Sequence, residues 1–141
     1  MAATTIDRNT ARKDVVRAVA DDALLAAATT IPAGVLVATN AAGELLNAAD
    51  VAAMTVIGRA PKRMVNAGAA AKIVPKAYVE AGVFKYGTTG GSAIVAGDIG
   101  KDCFVLDNQT VVKTAGTVNA IVAGKVQSID PDGGIWVRVG C

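Results

Sequence analysis

Histidine is absent from the 141-residue sequence, and that absence removes most acid–base and nucleophilic chemistry. Imidazole is the usual general base and a frequent zinc ligand, so Ser-His-Asp and Cys-His catalysis and most zinc hydrolysis are excluded. Cysteine is nearly as scarce. Cys103 lies in the apolar run Cys103-Phe104-Val105-Leu106, where a buried thiol is expected, and Cys141 is the last residue. Two cysteines without histidine make no metal site and demand no oxidising compartment. Long hydrophobic runs are also missing. Asp21, Asp22, glycines and threonines cut every apolar stretch short of the roughly 18 residues a membrane-spanning helix needs, so no membrane partner is expected. Arg12, Lys13 and Arg17 precede Ala18 and Val19 in the manner of a signal peptide. The two aspartates occupy the place of its apolar core, so none is expected.

Aromatic residues make up only 4% of the chain and charged residues 18%, yet hydrophobic residues reach 52%. The apolar content is therefore mostly Ala and Val, interrupted by 15 Gly. Such side chains bury little area each, which leaves a thin core for one domain of this length. With so few charges, a lone copy would also leave apolar surface in water, and burial between subunits resolves both points.

Fourteen basic and 12 acidic residues nearly cancel, to a net charge of +2. Their distribution is less even. Val51 to Val79 holds Arg59, Lys62, Arg63, Lys72 and Lys76 and no acid. This stretch reads either as a solvated loop or as a contact with an acidic protein surface. No aromatics interleave with the charges, so base stacking and specific nucleic-acid binding are not expected.

Along the chain, residues 1–13 are polar and show no period, which predicts an extended arm. Residues 14–30 fit an amphipathic helix, through Val15, Val16, Val19, Leu24 and Leu25. They also fit two short strands turning at Asp21-Asp22, the reading preferred here. From Pro32 onward the punctuation is that of strands. Val35-Leu36-Val37, the turn Thr39 to Gly43 and Leu45-Leu46 form a hairpin. Further strands are expected at Thr55–Arg59, Ala71–Val74, Ala77–Tyr86, Cys103–Leu106 and Thr110–Lys113. The clearest hairpin pairs Ala120–Ile129 with Ile135–Val139 across Asp130-Pro131-Asp132-Gly133, each residue suited to its place in a type I turn. The expected fold class is all-β, a small antiparallel barrel or sandwich. Residues 1–20 form its N-terminal arm and residues 21–141 a single domain.

No catalytic residue, cofactor site or metal site emerges. The pairs Asp98 with Asp102 and Asp130 with Asp132 sit in turn sequences, where carboxylates cap backbone amides. Asp130 to Gly133 lacks the alternating oxygen ligands and the closing Glu of a calcium loop. Gly87 to Ser92 is glycine-rich but has neither a phosphate-loop ending nor dinucleotide-fingerprint spacing. Trp136 admits two placements. With Ile135, Val137 and Val139 facing the core, Trp136 and Arg138 share the other face, as an oligomer-interface anchor. Alternatively, the indole packs on an outer layer of its own subunit.

Several segments carry a resemblance. Ala96 through Val111, Val122-Ala123-Gly124-Lys125-Val126 and Asp132 through Val139 resemble segments of small structural proteins from the head modules of Mu-like and other tailed phages. Asp7-Arg8-Asn9-Thr10 and Pro32 through Val37 are similar to the same group, while residues 50–75 resemble it only weakly. The resemblance implies a capsid decoration, or cement, protein: β-rich, homotrimeric and seated over junctions between major capsid subunits. It implies a virion location on the capsid surface, after synthesis in the bacterial host cytoplasm. The partners would then be the major capsid protein and further copies of this chain. On that reading the arm residues Asp7, Arg8, Asn9, Thr10, Arg12 and Lys13 are capsid-contact candidates, with Arg59, Lys62 and Arg63 of the basic segment. A tail, baseplate or fibre-associated protein shares the same composition. A carbohydrate- or ligand-binding module would need Tyr78, Phe84, Tyr86, Phe104 or Trp136 exposed along a groove.

Overall fold

The structure is a computed structural model that describes residues 3–20 and 22–140, with residues 14–17 described by their backbone alone. It is all-β apart from two single 3-10 turns, at Ala96–Asp98 and Thr114–Gly116. Strands β1 (Arg12–Val19), β2 (Leu24–Leu25), β3 (Thr29–Ile31), β4 (Leu36–Thr39) and β5 (Leu45–Asn47) come first. Next are β6 (Thr55–Arg59), β7 (Met64–Asn66), β8 (Lys72–Ile73) and β9 (Val79–Tyr86). The last four are β10 (Asp102–Asp107), β11 (Thr110–Val112), β12 (Val122–Ile129) and β13 (Ile135–Val139). Residues 14–19 are thus strand rather than helix. Of the turn expected at Asp21-Asp22, Asp21 lies outside the described residues, as does Cys141.

Local chemistry accounts for the hairpins. Between β4 and β5, the Asn40 side-chain oxygen accepts from the amides of Ala42 and Glu44, both at 3.0 Å. Gly43 then takes the left-handed conformation at φ 79 that closes the turn. Between β12 and β13, the Gly133 amide donates to the Asp130 carbonyl at 2.9 Å, the i to i+3 bond of the expected turn.

Strand pairing runs β11-β10-β12-β13-β9-β6-β4-β5-β2-β8, with β1 on β9 and β3–β7 as a separate two-stranded sheet. β9 organises this path. β1 pairs along Val79 to Phe84, β13 along Gly82 to Tyr86, and β6 meets β9 at Glu80. Because β1 also pairs with Glu80 and with Gly82 to Phe84, β13 and β6 must share the opposite edge of β9. The sheet therefore splits there, and each half covers its own core. One core gathers Leu36, Phe84, Tyr86, Val105, Val126 and Val137. The other gathers Leu25, Ile31, Val35, Val37, Met64 and Val79. This split corrects the expected barrel: the eleven-stranded sheet does not close on itself. It also explains the near-continuous burial at 35–38 and 79–86, since β4 and β9 send side chains into both cores.

The arm differs from expectation as well. Residues 3–11 have no regular structure, but β1 begins at Arg12, so the unpaired arm is shorter than residues 1–20.

The split requires close backbone approach. A Cβ on Gly58 would overlap the Glu80 carbonyl and the Val79 side chain. Gly58→Ala is expected to lower stability by about 2–3 kcal/mol, read as a shift of the urea midpoint. Gly43→Ala, whose Cβ meets open space but whose φ is 79, should cost only about 1 kcal/mol.

Candidate interaction surface

Two regions stand out at the surface: the N-terminal segment with the bed beneath it, and a set of aliphatic side chains standing in water.

The segment is held from Thr4 onward. Asn108, itself buried, clamps Thr4 by accepting from its amide at 3.0 Å and donating to its carbonyl at 3.1 Å. The same Asn108 amide donates to Asn47 at 2.9 Å. Arg63 donates to the Thr5 carbonyl at 3.0 Å and pairs with Asp7 at 3.1 Å. Asp7 accepts from the Ala33 amide at 2.8 Å, and the Arg8 amide donates to the Ala33 carbonyl at 2.9 Å. The Arg8 guanidinium lies 5.2 Å above the Tyr86 ring. Burial pulls its pKa down. Thr10 donates to the Gly34 carbonyl at 2.6 Å, which Tyr86 also engages at 3.0 Å. Gly34 is required beneath: a Cβ there would overlap the Arg8 carbonyl, and its φ of 87 is left-handed.

Further along, Arg12 reaches Glu80 at 3.5 Å and Lys13 lies 4.8 Å above the Trp136 ring. Glu80 is nearly inaccessible and pairs with Arg59 at 2.8 Å, while Arg59 stacks on Phe84 at 5.6 Å. Trp136 is only 7% exposed and donates to Asp130 at 2.8 Å. Asp130 shares Lys85 with Asp132, at 2.9 and 2.6 Å.

The structure thus separates the sequence candidates. Asp7, Asn9, Arg12, Lys13, Lys62 and Arg63 are exposed, and Arg8 is half-buried. Thr10 and Arg59 are corrections: both are buried in the protein's own body, Thr10 by its bond to Gly34 and Arg59 by its pair with Glu80. The acid-free stretch 51–79 is accordingly not one free basic patch, since Arg59 turns inward and Arg63 binds Asp7. Trp136 is a further correction as an exposed anchor. Lys13 covers it, leaving Arg138 alone outside, bonded to Gln127 at 3.2 Å. Sequence reasoning missed Asn108, Asn47 and Glu80. No local pattern marks a buried clamp.

Of the paired carboxylates, Asp130 and Asp132 converge on Lys85, while Asp98 and Asp102 take separate partners. Asp98 accepts from the Val95 amide and Asp102 pairs with Lys125. Burial pushes the Cys103 thiol up to about 12, which keeps it protonated. Among the described residues no cluster of three metal-ligating side chains forms, and no helix is long and apolar enough to cross a membrane.

The exposed aliphatics include Val118, at 91%, and Ile6, Ile73 and Val51. Asp50 fixes the loop bearing Val118 by accepting from the Val118 and Asn119 amides at 2.7 and 2.8 Å. Beside it an open groove of about 510 Å³ runs past Met54, Val56, Ile121 and Val122, with Lys125 and Arg138 among its charged lining residues.

Glu80→Ala strands the Arg59 charge in the interior and is expected to cost about 3–5 kcal/mol in denaturant unfolding. The Lys85 ammonium holds the Asp130 carboxyl below its ordinary value, aided by Trp136; Lys85 and then the Gly134 amide do the same for Asp132. A folded-state value below the unfolded one stabilises this turn at neutral pH, and the contribution is lost as pH falls through the lowered value. Trp136 fluorescence should therefore titrate below the usual Asp range, about 3.9, and Lys85→Met should move that midpoint upward. Comparison with known protein families, with curated proteins and with solved structures finds no match.

Proposed function

We propose that this chain is a capsid decoration protein. It binds the outside of a tailed-phage head as a homotrimer and clamps neighbouring major capsid subunits. The observation that carries this reading is the set of aliphatic side chains left in water on a body fixed by ion pairs and backbone clamps: Val118, Ile6, Ile73 and Val51. A second protein that covers such side chains takes their apolar area out of water. The resemblance of residues 96–111, 122–126 and 132–139 to phage head proteins supplies the identity of the cover, and copies of this chain supply the rest. A sequence without histidine suits a role without acid–base chemistry. The carbohydrate-module alternative has less support, because Phe84, Tyr86 and Trp136 are buried.

A clamp adds its binding free energy to the shell by linkage, and an arm that spans two surfaces widens the contact. In this reading Asn9, Lys62 and Arg63 face the capsid, and the protein, made in the host cytoplasm, resides on the virion surface.

Purified protein should co-sediment with tailless heads built from the cognate major capsid protein, and raise the temperature at which they release DNA. Deletion of residues 2–11, which leaves β1 in place, should abolish co-sedimentation while preserving the oligomer. Full occupancy by the deletion variant would overturn the role of the arm. Loss of the protein together with detached tails would favour a tail or baseplate location.

A further inference from the structure

We infer that residues 3–19 are an exchangeable element, and that in the oligomer each copy lays this segment on the body of a second copy. The inference rests on the oligomeric part of the function proposed above and not on the capsid role.

Three observations carry it. First, the segment is bound only at a distance. Apart from a local Thr4–Ile6 turn, the described hydrogen bonds and ion pairs of residues 3–13 run to residue 33 or beyond. β1 pairs with β9 alone, and the Ala11 carbonyl accepts from the Lys85 amide at 2.9 Å. A segment arriving from another chain makes every one of these bonds unchanged, which is the condition for exchange between identical subunits.

Second, the connection between the segment and the body is short and strained. β1 ends at Val19 and β2 starts at Leu24. Between them Ala20 and Asp22 stand at φ 56 and 51. Asp22 gains a bond in return, accepting from the Lys76 amide at 2.9 Å, and Asp tolerates the left-handed region. Ala20 has no such compensation, and its methyl group disfavours the conformation. An extended connection to a neighbouring copy relieves Ala20. Short strained hinges are the setting in which exchange is favoured.

Third, an empty bed leaves groups of the body without their partners. Without residues 3–13, Glu80 loses Arg12, Trp136 loses the cover of Lys13, and the buried Asn108 keeps an unmatched amide. The chain's own segment meets these groups in the structure, and the segment of a second copy offers the same atoms to them.

The test uses the full chain carrying Val19→Cys, Val79→Cys and Cys141→Ser. Val19 and Val79 are cross-strand partners, and the buried Cys103 thiol does not compete. Oxidation should yield covalent oligomers on a non-reducing gel, dispersed by reductant. A second measurement needs no mutation. Heavy-isotope-labelled and unlabelled wild-type chains are refolded together, cross-linked through lysines and digested. Lys13 lies over Trp136, the cross-strand partner of Lys85, so Lys13–Lys85 cross-links should include light–heavy hybrids. An oligomer whose disulfides close within single chains, or whose Lys13–Lys85 cross-links are never hybrid, overturns exchange and leaves the oligomer standing. A monomer by light scattering overturns both.

Discussion

Glu80 carries a carboxylate into the place where three strands converge. On one edge of β9 it faces β1, and on the other it faces β6, where Arg59 meets it at 2.8 Å. Taking two charges out of water costs several kcal/mol, and only close geometry and further partners offset it. Here Arg12 supplies a second cation and the Phe84 ring a polarisable face. The compensation is incomplete, for Arg59 Nε is buried with no hydrogen-bond partner. Apolar residues at 59 and 80 would pack more cheaply. They would not specify that β6 joins β9 at this single residue, and the split of the sheet, with its two cores, depends on that join.

Small residues make the join sterically feasible. Gly58 lies against the Glu80 carbonyl, and a Cβ on Gly140 would overlap the Ile57 carbonyl. β4 and β9 are walls shared by two cores, and they supply both short side chains such as Val37 and Ala38 and the large Phe84 and Tyr86. Little of the burial comes from any one residue, so the fold is held by many modest contacts and a few exact polar ones.

Strand-by-strand, the hairpins were legible because their determinants are local. Asn40, Gly43 and the Asp130 to Gly133 turn act within a few residues of themselves, and the strands they join begin and end close to expectation. β3 and β7 were not legible. Each has three residues, and their pairing is supported by Asn66, whose amide donates to carbonyls at Leu25, Ala26 and Ala70. Such a staple links segments about forty residues apart, and no window along the chain contains it. The same limit hid the bed of the arm. Periodicity marked residues 1–13 as unpatterned, which is true of the backbone of residues 3–11. It carried no sign that Asn108, Arg63 and Gly34 hold them in place. For Trp136, alternation placed the indole opposite the core, and that face is covered only because Lys13 arrives from far away in sequence.

The Thr4–Asn108 clamp has a kinetic side. Its partners are 104 residues apart, so it is among the last contacts that a growing chain can make. Loop-closure entropy delays such contacts even after synthesis, while the C-terminal hairpin can form from neighbouring residues. The segment made first is therefore placed last. For that interval each nascent body presents an empty bed and each chain a free leading segment, and whichever segment arrives first at high local concentration is the one that stays.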